Sequence, residues 1–311
     1  MLALYFIAAL LAALVLANLL LGRLPKKPPA GGGVIETAQG PIHYLENIGE
    51  GTPIVFIHGM PGSCRDFDLV RERMRDRHTI AFDRPGYAWS TGPPRDFGEQ
   101  LDAIIEAAGA LGVERAVVVG HSFGGMSALG LAIRHATFVD RLLLLSPAAG
   151  GTRVGEDRER QARWIERIET PGVCQVLDLF FLRILRKHAS RVGATAAYGS
   201  SPELAVQRLT AESALATHTS VRALANDRQL FNDTERMLTR NLKRVGVPSL
   251  ILHGEQDETV TLRNARRLAE ALPNTRLVDI PGDHQLPTKN PAQVVEALEQ
   301  LLADQLASSA Q

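Results

Sequence analysis

From residue 53 onward, short apolar runs alternate with longer stretches of helical periodicity. Residues 53–57, 78–82, 115–119, 141–145, 248–252 and 276–280 are the runs, rich in Val, Ile and Leu and without polar alternation. Such runs fit strands buried on both faces, as in parallel sheets covered by helices on either side. Residues 66–77, 98–111 and 291–306 carry helical spacing. An earlier pair, 34–37 and 42–45, brackets Gln39-Gly40-Pro41 and predicts a β-hairpin. The pattern predicts an α/β protein with a mainly parallel central sheet.

Two regions depart from it. Between residues 152 and 245 the strand pattern disappears, and the chain becomes helical and rich in Arg and Glu. An insertion of this kind predicts a helical cap over the carboxyl edge of the sheet, where open α/β sheets bind ligands. At the N-terminus, residues 2–21 hold no charge, and Asn18 is their one strongly polar side chain. Twenty residues of helix rise about 30 Å, the thickness of a bilayer's hydrocarbon core. No Lys or Arg precedes the run and more leucines follow Val15-Leu16-Ala17, so a single-pass anchor is favoured over an exported, cleaved signal peptide. Arg23, Lys26 and Lys27 follow, which by the positive-inside tendency keeps the remainder of the chain in the cytoplasm. The expected organisation is an anchor over 1–24, a Pro/Gly linker over 25–33, a core over 34–151, the cap over 152–245 and the rest of the core over 246–311.

Composition changes this picture little. Hydrophobic residues make up 45% and charged residues 22%, as in a globular protein with a substantial core. The formal net charge is zero, and no basic surface interleaved with aromatics suggests nucleic acid. Cys64 and Cys174 lack a metal-ligand spacing and are read as two thiols, so neither metal nor cofactor is expected. The cap is net positive, with 16 Lys/Arg against 11 Asp/Glu. Within it, residues 177–187 mix aromatics with cations. They read as an amphipathic helix that roofs the pocket or touches lipid headgroups.

The chemistry gathers where strands end. Gly120-His121-Ser122-Phe123-Gly124 lies between a buried strand and a helical stretch, the setting of a sharp turn that lifts a serine above the sheet. His58-Gly59-Met60-Pro61-Gly62 follows another strand. The Met60 N–H, paired with that of Phe123, would hold a developing oxyanion. A serine hydroxyl needs a histidine to take its proton and a carboxylate to hold that histidine. His284 and Asp257 follow the last two strands, in the chain order Ser122, Asp257, His284. Glu255 and Asp283 are the competing acids. Of the other histidines, His58 and His253 are expected to bond nearby backbone, and His121 to point elsewhere. His43, His78, His135, His188 and His218 lack a glycine-bounded loop after a late strand.

Over residues 34–306 the chain resembles the α/β-hydrolase fold superfamily, in its serine-nucleophile branch. The matching motifs are His58-Gly59 with Met60-Pro61-Gly62, the loop Asp83-Arg84-Pro85-Gly86-Tyr87-Ala88-Trp89-Ser90, Gly120 to Gly125, Gly254 with Asp257, and Asp283-His284. The resemblance implies Ser122 as nucleophile, His284 as base and Asp257 as acid. Ala88 stands where relatives usually have glycine. The branches that use Asp as nucleophile are disfavoured. Hydrolysis of an apolar or amphipathic small-molecule ester through an acyl-enzyme is the expected activity. The alternatives are an aminopeptidase resembling proline iminopeptidases, a C–C bond hydrolase, a cofactor-free haloperoxidase, and a ligand receptor that keeps the triad without turnover. The aminopeptidase would need cap acids for the substrate ammonium, for which Glu203 and Glu212 are the spaced candidates.

Overall fold

The computed structural model describes residues 2–21, 32–93, 95–170, 172–199 and 204–308. The chain opens with helix α1 (Leu2–Leu21), followed by strands β1 (Gly32–Thr37), β2 (Gly40–Asn47), β3 (Glu50–Ile57) and β4 (Arg77–Phe82). Helix α2 (Asp68–Arg71) lies between β3 and β4, and α3 (Phe97–Ala110) leads to β5 (Ala116–His121), α4 (Phe123–Arg134) and β6 (Val139–Leu145). Five helices then intervene: α5 (Glu156–Ile168), α6 (Val173–Phe180), α7 (Leu182–Tyr198), α8 (Ala205–Leu215) and α9 (His218–Asn241). The chain finishes through β7 (Ser249–Gly254), α10 (Leu262–Ala271), β8 (Thr275–Ile280), α11 (Leu286–Lys289) and α12 (Pro291–Ser308).

The eight strands form one sheet in the order β1-β2-β4-β3-β5-β6-β7-β8. The first two are antiparallel to their neighbours and the other pairings are parallel. Side-chain alternation explains the apolar runs. In β5, Val118 packs on the face covered by α3 and α4, while Val117 and Val119 join the core beneath α2 and α12. Both faces need apolar residues because both are covered.

Three expectations are corrected. The helix foreseen over 66–77 is a 3-10 turn (Cys64–Phe67) and the short α2. Beyond α2 the backbone bonds elsewhere: Asp76 C=O accepts from Glu50 N at 2.8 Å, and Asn47 Nδ2 donates to Arg75 and Arg77 carbonyls. The expected linker ends early, because Gly32 and Gly33 pair with Leu45 and Tyr44 as the start of β1. A Cβ on Gly32 would sit 2.5 Å from His43 Nε2, so glycine is what lets β1 pass there. The linker's Pro25, Pro28, Pro29 and Gly31 lie outside the described residues. Finally, the single helix expected over 177–187 breaks at Phe181, and these residues do not line the main cavity.

The break is met by Asn18. Its Nδ2 donates to the Asp178 carbonyl in the last turn of α6, and its Oδ1 accepts from Ile184 N at 3.4 Å in the first turn of α7. Helix ends leave such groups without intrahelical partners. Asn18 is fully buried, whereas residues 5–14 of α1 are exposed, Tyr5 by 67% and Phe6 by 71%. Among residues whose side chains are described, no helix is long and apolar enough to cross a membrane.

Candidate active site

Four parallel strands deliver the candidate residues to one edge of the sheet. β5 ends at His121, and Ser122 turns the chain into α4 with φ +53° and ψ −117°. A positive φ is costly for any residue with a Cβ and is held here by close packing around it. A Cβ on Gly120 would lie 2.3 Å from Gly124 O, and one on Gly124 would lie 2.1 Å from Ile57 O. The glycines of the motif are therefore steric requirements of the turn.

Ser122 Oγ–H donates to His284 Nε2 at 3.0 Å, and His284 Nδ1–H donates to Asp257 Oδ2 at 2.7 Å. The other carboxylate oxygen of Asp257 accepts from Thr259 N and Val260 N, each at 2.8 Å. Burial opposes ionisation of Asp257, but the His284 hydrogen bond and charge and the Val260 amide outweigh it and hold the carboxyl below its usual pKa. Its fixed charge can orient the imidazole and stabilise an imidazolium. The competing acids are engaged elsewhere: Asp283 bonds Lys289 and Gln285 N, and Glu255 contacts Gln256.

Gly59 and Met60 line the same cavity as Ser122 and His284. Among the described residues neither the Met60 nor the Phe123 amide donates a hydrogen bond, which leaves both available to a substrate oxygen. The cavity has a volume of about 730 Å³ and is roofed in part by α7 and α8.

His58 bonds backbone, donating to Gly59 O and accepting from Arg84 N, both at 2.9 Å. His253 likewise bonds Val260 O. His121 departs from expectation. Its Nε2–H donates to the His284 carbonyl at 2.8 Å, with the two rings 5.0 Å apart, so it braces the loop that carries His284. Burial pulls the pKa of both His58 and His121 down to about 3; the Arg84 charge adds to this at His58 and the His284 charge at His121. Both rings stay neutral at ordinary pH.

Several contacts that support the site have no sequence signature. Arg84 pairs with Asp227 on α9 at 2.8 Å, both buried, and its guanidinium lies 4.2 Å over the Phe123 ring. Tyr87 Oη and Gln100 Nε2 also donate to Asp227, which fastens the last cap helix to the residue after Ser122. Asp66 borders the cavity beside Gly62 and accepts from Tyr198 Oη on α7. Burial pushes its pKa up to about 7 against the Tyr198 and Ser63 hydrogen bonds. Of the cap acids considered for an ammonium group, Glu212 is paired with Arg191 at 3.1 Å, and Glu203 lies outside the described residues. Cys64 and Cys174 are free thiols. Among the described residues, His43, Cys64 and Asp83 form the one group close enough to hold a metal ion. Its internal bonds, His43 Nδ1 to Asp83 at 2.8 Å and Cys64 N to Asp83 at 2.7 Å, account for it as a structural cluster.

The model of the alpha/beta hydrolase family matches residues 54–297, and the chain belongs to that family. Among its relatives, a 2-hydroxymuconate semialdehyde hydrolase of Pseudomonas sp. (strain CF600) is 30% identical over 244 residues, 75% of this chain and 80% of the relative. A thermophilic esterase from Thermogutta terrifontis superposes with a TM-score of 0.70 at 20% identity, over 88% of this chain and 99% of its own. A membrane phospholipase A described as a bacterial virulence factor does so at 0.65 and 22% identity, over 97% of this chain and 93% of its own. At these identities the two structures share the fold.

Proposed function

We propose that this protein is a membrane-anchored serine hydrolase that cleaves carboxylic esters or related acyl compounds through an acyl-enzyme on Ser122. His284 is the general base and Asp257 orients it. The observation that carries this reading is the unbroken relay, 3.0 Å from Oγ to Nε2 and 2.7 Å from Nδ1 to Oδ2, built on a strained serine inside a cavity. Oγ bonds to the acyl carbon as Nε2 takes its proton. The carbonyl oxygen becomes an oxyanion facing the Met60 and Phe123 amides, each donor worth about 3–4 kcal/mol in the transition state. Collapse breaks the bond to the alcohol, which leaves with the proton from Nε2. Water then repeats the sequence on the acyl-serine and releases the acid.

A fluorophosphonate probe is expected to label the wild type and not Ser122→Ala. Asp257→Asn should keep the fold while losing about 10³–10⁴ in turnover on short esters. Labelling that persists at another serine in Ser122→Ala overturns the nucleophile.

The anchoring half of the proposal rests on residues 2–21. All twenty are helical and uncharged, and large side chains such as Phe6, Leu10 and Leu14 face outward. A contiguous apolar surface of this size calls for lipid or protein. The 97% superposition with a membrane phospholipase extends into this helix, since the unaligned remainder of about 9 residues is shorter than α1. Arg23, Lys26 and Lys27 favour the cytoplasmic side for the body of the protein.

A second reading, hydrolysis of a C–C bond, is favoured by the 30% identical semialdehyde hydrolase. Turnover of 2-hydroxymuconate semialdehyde at a rate exceeding that of every ester tried would select it.

A further inference from the structure

The cavity around Ser122 has two unlike groups of lining residues. On the side of the Gly59–Gly62 loop it is closed by α7 and α8, where Ala194 and Tyr198 pack with Ala211 and where Ala197 and Leu215 add to the lining. Small side chains on facing helices leave an apolar slot. The rest of the lining includes the loop before α5, the start of α5, α9 and the loop after β7, with Arg153 and Arg158, both exposed, and Arg228.

These arginines have no acid partner among the described residues. Among the described residues none of the three makes an ion pair or a side-chain hydrogen bond, in a chain where most arginines do. Of the acids nearby in sequence, Asp227 is committed to Arg84, Tyr87 and Gln100, Asp157 to Arg160, and Glu159 to Asn232, while Glu156, exposed at the start of α5, pairs with none of the three arginines. Glu258, on the exposed loop after β7, also lines the cavity and pairs with none of them. Arg228 is partly buried, and its pKa is held below the usual value first by that burial and then by the neighbouring Arg158 charge. Arg158 and Arg228 line one cavity without a counter-ion, so a bound anion would relieve the repulsion between their like charges. The position suits a substrate. Arg228 stands one helical turn before Phe231, which borders the cavity and packs against Phe123 at 5.9 Å.

We propose that Arg158 and Arg228, with Arg153 at the rim, form an anion subsite of the substrate cavity. The substrate is then an ester that joins an apolar chain to a group bearing a carboxylate or a phosphate. This deepens the reading of Ser122 as nucleophile and rests on it for the word substrate, but binding at the subsite can be measured without turnover. Hexyl phosphate, hexanoate and hexanol share one apolar chain and differ in the head. Calorimetric titration of the full chain at physiological salt should show at least one of the two anions binding about tenfold or more tightly than hexanol, as one charge-assisted contact supplies. In the Arg158→Ala/Arg228→Ala double variant that margin should fall to about threefold or less. The Arg158→Lys/Arg228→Lys variant keeps both charges and should retain a margin between these, which separates lost charge from lost folding. The stronger of hexyl phosphate and hexanoate identifies which anion the substrate carries. Hexanol binding as tightly as both anions, or a margin undiminished in the double alanine variant, overturns the subsite. Failure of fluorophosphonate labelling with the anion preference intact would instead overturn the role of Ser122 and leave an anion-binding cavity.

Discussion

Ser122 is the residue at which local strain and chemistry meet, and its neighbours show which parts of such a site a sequence can carry. Ser122, Asp257 and His284 were legible because each follows a strand-like run, and strand ends share an edge of the sheet. His121 was misread. Its bond to the His284 carbonyl spans 163 positions, and nothing in its own pentapeptide points there. The Arg84–Asp227 pair was invisible for the same reason, since partner choice in a buried pair is made by packing. The buried histidines make a prediction about pH. His58 and His121 take up protons near pH 3 in the fold and near 6.5 when exposed, so the unfolded chain binds protons first on acidification. Their stabilising contribution is complete above about pH 6.5 and is lost as pH falls from there toward 3. Asp66 runs the other way. With its pKa raised from 3.8 to about 7, its contribution declines as pH rises across that interval. Urea midpoints measured from pH 5 to 8 should therefore show a shallower acid-side loss in His121→Gln, and a gain in the neutral range in Asp66→Asn. Slopes identical to wild type in both variants would contradict these assignments.

Among the elements, the core strands were placed well because burial on both faces writes itself as an unbroken apolar run. The cap was read less well. Residues 177–187 carry a continuous helical pattern, yet the chain breaks at Phe181, whose φ of −154° is far from helical. The group that makes the break tolerable is in another helix, at Asn18, the single strongly polar side chain of an otherwise apolar run. In the sequence Asn18 stands out only as the one strongly polar side chain of residues 2–21. Its burial against two helix ends makes it a joint between α1 and the cap instead. Asn18→Leu should leave the Asp178 carbonyl and the Ile184 amide without partners, at a cost of about 1–3 kcal/mol. Hydrogen exchange at the Ile184 amide should accelerate by about tenfold or more, while amides of β5 and β6 keep their protection. Unchanged protection at Ile184 would mean that the joint is held by apolar packing alone.

At the scale of the whole molecule, α1 and the substrate cavity bear on one question, namely where the substrate comes from. Residues 5–14 of α1 stand exposed, and the cap beside its C-terminal end shows Val173, Val176, Leu179 and Phe181 to solvent. With the exposed residues 5–14 of α1 in a bilayer, the joint at Asn18 keeps this cap surface beside the membrane, on the cap that also roofs the cavity. Full-length protein should then stay in the membrane fraction through high-salt and carbonate washes, because burial of an apolar helix in lipid is insensitive to screening, whereas electrostatic attachment is not. A truncated chain beginning at Gly31 should leave the membrane fraction and keep its rate on short water-soluble esters, since every strand of the sheet is retained. On long-chain esters presented in vesicles it should lose rate, because it must now extract its substrate from the bilayer through water. Equal loss on both substrates would assign the segment to folding, through the contacts that α1 makes with α6 and α7. No loss on either would separate the anchor from substrate supply. Release of the full-length protein by salt alone would remove the anchor.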